Sequence, residues 1–218
     1  MIDRPRSTLM NITDPAINSY LRKLTPASHP VLLEMEQYAA KHGFPIIGPL
    51  TGRMLQQLVI LTGAKRIFEM GSGYGYSAIS MALVMRGGGT IECTETDKEN
   101  IARGRKHAQA ARVGKKIIWH EGDALESMRK AKGKYDIIFC DVDKEQYPAA
   151  LGIAWPKLRK GGILVTDNTL WSGRVVTEKP PKPGTTGILK FNRMVYALPD
   201  ALCTLQPLRD GLMLAVKR

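Results

Sequence analysis

Two polar stretches follow apolar runs that are typical of buried strands. Asp141 stands directly after "IIFC", and Asp167 and Asn168 stand directly after "ILVT". If the two runs are neighbouring strands of a parallel sheet, these side chains converge beyond the carboxyl ends of the strands. Carboxylate and amide oxygens suit Mg²⁺, or another divalent cation such as Mn²⁺ or Ca²⁺. The alternative is that both aspartates only cap the helices that follow them.

A glycine-rich turn follows an earlier apolar run. The stretch "FEMGSGYGYS" contains Gly71, Gly73 and Gly75 immediately before a helical pattern. Such a turn lets the backbone approach a ligand, and the helix that follows offers free N–H groups. The spacing differs from the G-x-G-x-x-G pattern of dinucleotide-binding proteins. By itself the turn is compatible with a nucleotide-like cofactor, with a dehydrogenase or with a purely structural role.

Three acidic residues at strand ends narrow the choice of cofactor. Glu69, just before the first glycine, suits a cationic amino-acid group better than a pyrophosphate. Glu95 ends the second strand, where a carboxylate can accept hydrogen bonds from both hydroxyls of a ribose. Asp123 follows the third strand and can lie beside an adenine ring. Together they favour S-adenosylmethionine, although each acid alone could be a helix cap or part of a solvated turn.

Lys144 lies three residues after Asp141 in "DVDK" and suggests the chemistry. Transfer of a methyl group from a sulfonium to oxygen is fast only when the oxygen is an anion held close to the methyl group. A divalent cation lowers the pKa of a phenol-like hydroxyl that it chelates, and an adjacent substrate oxygen fixes the orientation. Lys144 could then take the proton. The alternative for Lys144 is a surface salt bridge with Asp143 or Glu145.

The elements that would position these residues alternate between strands and helices. Strands are predicted at Arg66–Met70, Thr90–Glu95, Lys116–His120, Tyr135–Asp141 and Gly161–Asp167, with helices at 76–86, 98–111 and 146–158 between them. Two further strands, in 200–208 and 211–218, are predicted to be antiparallel and joined by "RDG". The expected fold is an α/β, Rossmann-like, doubly wound sheet of seven mainly parallel strands, with helices on both faces and an antiparallel C-terminal strand.

The regions outside this alternation have their own patterns. Helices are predicted in 13–24, 29–43 and 50–62, from the proline and glycine positions and the helical spacing of apolar residues. Residues 1–62 would form an N-terminal helical part and residues 63–218 the core of one domain. The segment Arg174–Gly187, rich in proline, glycine and lysine, is predicted to be a long mobile loop over the edge of the sheet.

The composition limits the kinds of binding partner and the cellular location that the protein can have. The chain has 218 residues, a formal charge of +12 and three cysteines. No apolar run approaches the ~20 residues that span a bilayer, so we expect a cytoplasmic protein without a membrane partner. Its three cysteines are most simply buried thiols in a reducing compartment. The charge favours acidic partners such as nucleic acid. Basic residues outnumber acidic ones between Arg103 and Lys134, but no aromatic residues are interleaved for base stacking, so solvated helix faces are the simpler interpretation.

The ordered set of motifs resembles the metal-dependent class I O-methyltransferases, which include catechol and caffeoyl-CoA O-methyltransferases and small bacterial relatives. The resemblance implies Asp141, Asp167 and Asn168 as metal ligands and Lys144 as general base, with Asp141 also close to the cofactor. Residues expected around S-adenosylmethionine are Ile47, Glu69, Gly71, Ser72, Gly73, Ser77, Glu95, Asp123, Ala124 and Asp141. Lys144, Trp171 and Asn192 are expected to border the acceptor. The resemblance also implies a homodimer.

The resemblance leaves the acceptor open. The first hypothesis is a small phenolic molecule with two neighbouring oxygens, such as a catechol or its CoA thioester. The alternative is the wobble 5-hydroxyuridine of tRNA, which the charge and the N-terminal sequence also suit. One position departs from the family pattern, because "RDG" puts Arg209 where the family usually has glycine. We expect this change to affect the hairpin and to leave the catalytic set untouched.

Overall fold

One seven-stranded sheet organises the residues that the computed structural model describes, which are 11–25 and 29–218. Its strands are β1 (Arg66–Met70), β2 (Thr90–Glu95), β3 (Ile117–Glu121), β4 (Tyr135–Cys140), β5 (Leu158–Thr166), β6 (Ala201–Gln206) and β7 (Leu212–Lys217). Their order is β3-β2-β1-β4-β5-β7-β6, with β1 to β5 parallel and β7 antiparallel to both of its neighbours. The predicted fold and the predicted pairing of β4 with β5 are confirmed.

Helices cover both faces of this sheet. They are α1 (Pro15–Leu24), α2 (Pro30–His42), α3 (Gly48–Thr62), α4 (Tyr76–Val84), α5 (Lys98–Ala110), α6 (Ala124–Lys130), α7 (Tyr147–Ala154), α8 (Arg174–Thr177) and α9 (Pro183–Tyr196). Successive strand residues point to opposite faces, so Ile67 packs in the core under α2 to α5, while Phe68 packs under α6, α7 and α9. Burial of each such side chain contributes about 1.5–3 kcal/mol to stability.

Capping residues define the N-terminal helices where the sequence predicts them. The Oδ1 of Asp14 accepts a hydrogen bond from Ala16 N at 2.7 Å, with Pro15 at the first position of α1. Gly43 ends α2 in the left-handed region, with φ of 65°, which glycine adopts without strain. The third helix begins at Gly48, two positions before the predicted start at Leu50. The assignment of the whole chain to one domain stays a prediction.

The predicted loop over Arg174–Gly187 is wrong. Residues 174–177 form α8, and α9 begins at Pro183, so only a short connection separates two helices. The side chain of Glu178 fastens this connection, because its Oε2 accepts hydrogen bonds from Thr185 Oγ1 at 2.5 Å and Lys182 N at 3.0 Å. Proline suits the first turn of a helix, where its missing N–H has no partner to lose. The prolines of this segment therefore belong to a turn and to the start of α9.

Two smaller expectations concern membranes and thiols. Within the described part of the chain, no helix has both the length and the apolar character needed to cross a bilayer. Cys93, Cys140 and Cys203 are free thiols, and the predicted burial holds for Cys93 in β2 and Cys140 in β4, whereas Cys203 in β6 is only partly buried.

Candidate active site

A cavity of about 550 Å³ lies beyond the carboxyl ends of β1, β2 and β4. This is the edge where the strand order reverses, between β1 and β4, and where open parallel sheets bind their ligands. The predicted site residues that line it are Ile47, Gly71, Ser72, Gly73, Ser77, Glu95, Asp123, Ala124, Asp141, Lys144, Asn168 and Trp171. The sequence thus locates the cavity, although its residues are spread over more than half of the chain.

The glycine-rich turn is held between the two neighbouring strands. Gly71 has φ of 82°, and a Cβ at this position would lie 2.5 Å from the carbonyl oxygen of Asp141. On the other side, Gly71 N donates to Thr94 Oγ1 and Ser72 N donates to Thr94 O, both at 2.9 Å. Packing within the protein therefore already requires glycine at position 71. These contacts within the protein define the shape of the turn.

Glu69 lies behind the cavity lining and is wholly buried. Its Oε1 accepts a hydrogen bond from Ser77 Oγ, and its Oε2 has no hydrogen-bond partner. Burial raises the pKa of this carboxyl to about 8, an effect that the hydrogen bond from Ser77 opposes. A buried carboxylate oxygen without a partner suits a cationic ligand group, which would satisfy it and favour the charged form.

Glu95 and Asp123 combine local hydrogen bonds with a place on the cavity. The Oε1 of Glu95 accepts from Thr96 N at 2.8 Å and Asp97 N at 2.9 Å. Asp123 caps α6 by accepting from Glu126 N at 2.8 Å. The capping interpretation is thus correct for Asp123. Because both residues also line the cavity, it does not exclude the predicted contacts with a ribose and an adenine.

Lys144 reaches back to the end of β4. Its Nζ donates to Asp141 Oδ1 at 2.6 Å and to the carbonyl oxygen of Val142 at 3.2 Å, and 14% of its side chain is exposed. The same Nζ lies 5.8 Å from the ring centroid of Trp171. Lys144 therefore pairs with Asp141 inside the cavity, and the alternative of a surface salt bridge with Asp143 or Glu145 does not hold.

Asp167 is buried directly beside the end of β4. Asp167 N donates to the carbonyl oxygen of Cys140 at 3.2 Å, which brings the ends of β4 and β5 together as predicted. The carboxyl Oδ2 accepts from Arg209 Nη1 at 2.7 Å, while Oδ1 has no hydrogen-bond partner. Burial and the negative charge of Asp141 raise the pKa of Asp167 to about 6. The expectation that Arg209 leaves the catalytic set untouched is therefore wrong.

The donor set fits a hard divalent cation by its chemistry. Asp141 and Asn168 line the cavity, and the Oδ1 of Asp167 is a buried oxygen without a hydrogen-bond partner. Asn168 Nδ2 donates to Asp210 Oδ2 at 3.2 Å, so its amide nitrogen is already used. Across residues 11–25 and 29–218, no group of three or more His, Cys, Asp or Glu side chains could hold a metal ion. The predicted metal ligands are not such a group, because only two of them, Asp141 and Asp167, are acids and the third, Asn168, is an amide.

The two predicted acceptor-side residues have different surroundings. Trp171 lines the cavity at the start of a short turn, Trp171–Gly173. Asn192 does not line it; its Nδ2 donates to the carbonyl oxygen of Thr169 at 2.9 Å, and its Oδ1 is buried without a partner. Asn192 thus ties α9 to the segment after β5, and its predicted role at the acceptor stays a prediction.

A second cavity, of about 480 Å³, adjoins the first. It lies against α1 and α2 and shares with the first cavity the segment 44–47 and Arg209. Its charged lining residues are two arginines, Arg22 and Arg209, and one glutamate, Glu36. The sequence did not predict this cavity, because it depends on how α1 and α2 pack against the segment 43–50.

Comparison with known proteins identifies the family. A family model described as O-methyltransferase matches residues 23–218. The chain belongs to the O-methyltransferase family. It is 30% identical over 188 residues to the catechol O-methyltransferase of Niastella koreensis, which covers 84% of this chain and 85% of the relative. It is 31% identical over 202 residues to the caffeoyl-CoA O-methyltransferase of Medicago sativa, which covers 86% of this chain and 81% of that relative.

Solved structures of O-methyltransferases have the same fold. The O-methyltransferase of Bacillus cereus in complex with S-adenosylhomocysteine is 27% identical, with a TM-score of 0.84 over 93% of this chain and 97% of that chain. These comparisons confirm the predicted enzyme class, an S-adenosylmethionine-dependent O-methyltransferase.

Sequence reasoning missed two residues that shape the site of this O-methyltransferase. Thr94 anchors the glycine-rich turn, and Arg209 neutralises Asp167. A signal for Thr94 was available, because it stands one residue before Glu95 at the end of a predicted strand. Arg209 and Asp167 are 42 residues apart, and only the pairing of β5 with β7 brings them together.

Proposed function

We propose that this O-methyltransferase is divalent-metal-dependent and methylates one hydroxyl of a small phenolic molecule with two neighbouring oxygens. The observation that carries the proposal is the pairing of Lys144 with Asp141 in the cavity that the glycine-rich turn also lines. A proton acceptor, a carboxylate and a cofactor-type turn then share one space. The names of the catechol and caffeoyl-CoA relatives support the same class of acceptor.

The cofactor's groups match the polar residues of the cavity in order. Glu69, with its unpaired Oε2, would attract the amino group of the methionine part, while Ser77, Gly71, Ser72 and Gly73 line that end of the space. Glu95 would accept hydrogen bonds from the ribose hydroxyls. At the adenine end, the lining residues are Asp123 and Ala124, and Ile47 is an apolar wall residue.

Asp141, Asp167 and Asn168 would hold the metal ion, with Mg²⁺ favoured and Mn²⁺ or Ca²⁺ as alternatives. When bound, such an ion lowers the pKa of a phenolic hydroxyl and orients a second oxygen beside it. The buried, unpartnered Oδ1 of Asp167 supports this role. Asp141 would lie close to both the metal ion and S-adenosylmethionine, because it contacts the glycine-rich turn and Lys144.

Lys144 would move the proton. In its neutral form, Nζ accepts the hydroxyl proton, the oxygen forms the new bond to the methyl carbon, and the bond from that carbon to sulfur breaks. The small exposed fraction of Lys144 limits the access of water to this transfer. Trp171 lines the same space and offers an aromatic face to the ring of the acceptor.

The second cavity is the proposed space for the remainder of the acceptor, because it adjoins the first along the segment 44–47 and Arg209. The alternative acceptor, 5-hydroxyuridine in tRNA, rests on the net charge. Several of the basic residues between 103 and 134 have structural partners: Lys116 Nζ donates to Ala82 O at 2.9 Å and Met85 O at 2.8 Å, and Arg103 stacks over Tyr38. The small molecule is therefore preferred.

The proposal includes a homodimer in the cytoplasm. In support of self-association, α1 has three exposed apolar side chains on one side, Ile17, Tyr20 and Leu24. In support of a reducing compartment, all three cysteines are free. Neither property is needed for the chemistry.

The function is tested by methyl transfer from labelled S-adenosylmethionine with Mg²⁺. Catechol, a caffeoyl thioester and tRNA carrying 5-hydroxyuridine are offered in parallel, each with and without a chelator. Chelator-sensitive labelling of a catechol-type acceptor is the expected result. Labelling of tRNA alone would mean that the acceptor is tRNA and not a small phenolic molecule. Full labelling in the presence of chelator would refute the metal requirement.

A further inference from the structure

Arg209 stands at the boundary of the two cavities and lines both. Its Nη1 donates to Asp167 Oδ2 at 2.7 Å, in an ion pair where 36% of the Arg209 side chain and 1% of the Asp167 side chain are exposed. A charge-assisted hydrogen bond to a carboxylate with so little access to water is among the stronger polar contacts in a protein. Arg209 therefore supplies the positive charge at Asp167 in this structure.

The backbone gives no reason for an arginine at this position. Arg209 has φ of 52°, in the left-handed region that favours glycine, within the turn that joins β6 to β7. The turn is closed by Gly211 N, which donates to Leu208 O at 3.0 Å, and needs no side chain at 209. The backbone conformation disfavours arginine at position 209. The side chain of Arg209 instead contacts the buried carboxylate of Asp167, where its charge acts.

We infer that Arg209 is an internal cation that competes with the divalent metal ion for Asp167. This inference rests on the proposed metal dependence. Asp167 is one of only two acids in the donor set, and the guanidinium holds one of its two oxygens. A second cation beside that oxygen is repelled, so the metal ion binds when Arg209 withdraws.

The second cavity gives Arg209 a place to withdraw to. It lines that cavity together with Glu36, whose Oε1 accepts from Tyr76 OH at 2.6 Å. A guanidinium turned towards this side would lie in the cavity that Glu36 and Arg22 also line, away from Asp167. Because the second cavity is the proposed space for the remainder of the acceptor, Arg209 also links metal binding to the occupancy of that space. The enzyme should then need more metal for half-saturation than the same site with glycine at 209.

The experiment measures Mn²⁺ binding by electron paramagnetic resonance, with the full chain and no cofactor. The variants are Arg209→Gly, which removes both the charge and the disfavoured φ, and Arg209→Gln, which removes only the charge. Arg112→Gly is the matched control, because Arg112 is an exposed arginine with φ of 58° that does not line either cavity. We expect both Arg209 variants to bind Mn²⁺ about 10- to 100-fold more tightly than the wild type and Arg112→Gly.

Equal Mn²⁺ affinity in the wild type and both Arg209 variants would overturn the competition, while Mn²⁺ binding itself would leave the proposed metal requirement standing. Failure of all variants to bind Mn²⁺, together with methyl transfer in chelator, would refute the metal requirement and the competition together. Arg209→Gln decides the question if Arg209→Gly does not fold, since it removes the charge and keeps an unbranched polar side chain at position 209.

Discussion

The Nζ of Lys144 lies 2.6 Å from the Oδ1 of Asp141, the first residue after β4. The same residue, Asp141, presents its carbonyl oxygen to Gly71. The proposed proton acceptor, one proposed metal ligand and the glycine-rich turn are therefore connected through a single residue, Asp141. Small shifts of Lys144 or Gly71 should lower the rate of methyl transfer, because misplacement of a reacting group by about 1 Å can reduce a rate about 100-fold.

Gly187 on α9 tests the placement of Lys144. A Cβ at this position would lie 2.9 Å from Glu145 Cα and closer still to the carbonyl oxygen of Lys144, so Gly187→Ala must push the turn that carries Lys144. We expect its turnover to fall at least about tenfold with little change in cofactor affinity. Steady-state kinetics of the methyl transfer measure both.

Gly184→Ala is the matched control, on the same helix and also facing Lys144. Its added Cβ would make an ordinary contact, 3.6 Å from Lys144 Cβ, so turnover should stay near that of the wild type. Equal losses in the two variants would mean that the spacing between α9 and Lys144 does not control the rate.

Glu69 should destabilise the cofactor-free protein as the pH rises. Its pKa is about 8 in the folded protein against 4.5 for an ordinary glutamate, so between these values the folded state binds more protons than the unfolded state. Stability then decreases from about pH 4.5 to about pH 8 on account of this group. Glu69→Gln, which can keep the hydrogen bond from Ser77, should raise the free energy of unfolding by about 1–3 kcal/mol at pH 8 and by much less at pH 5.

The same substitution should weaken cofactor binding. Loss of the charged partner for the amino group of S-adenosylmethionine should reduce affinity about 10- to 100-fold near pH 7. Denaturant unfolding at the two pH values and calorimetric titration of the cofactor measure the two effects. A variant that is less stable than the wild type at pH 8, or that binds the cofactor as tightly, would contradict this role of Glu69.

Gly71→Ala tests whether the cofactor turn is fixed by the protein itself. At φ of 82°, the new Cβ would meet the carbonyl oxygen of Asp141, so we expect a loss of about 2–4 kcal/mol in the free energy of unfolding. Gly43→Ala has a similar φ of 65° but open space around the Cβ and should cost about 1 kcal/mol. Denaturant unfolding compares them; equal losses would mean that backbone strain alone explains the glycine.

The sequence was sufficient for the sheet and for half of the residues that line the first cavity. Each parallel strand is a short apolar run, and the carboxyl ends of such strands meet at one edge, so Glu95, Asp123 and Asp141 could be placed together. The helical start at Pro183 was missed because proline marks both turns and the first turn of a helix. The contact of Arg209 with Asp167 depends on a side-chain conformation across two strands, which no local pattern encodes.

Proton transfer to Lys144 during methylation can be measured through the single-turnover rate of Lys144→Met with saturating labelled S-adenosylmethionine, Mg²⁺ and catechol. Lys116→Met is the control, because Lys116 is also a half-buried lysine that donates to carbonyl oxygens, and it does not line either cavity. We predict that Lys144→Met is slower by about 100-fold or more, with cofactor affinity within about twofold of the wild type. A Lys144→Met rate equal to those of the wild type and Lys116→Met would exclude Lys144 as the proton acceptor.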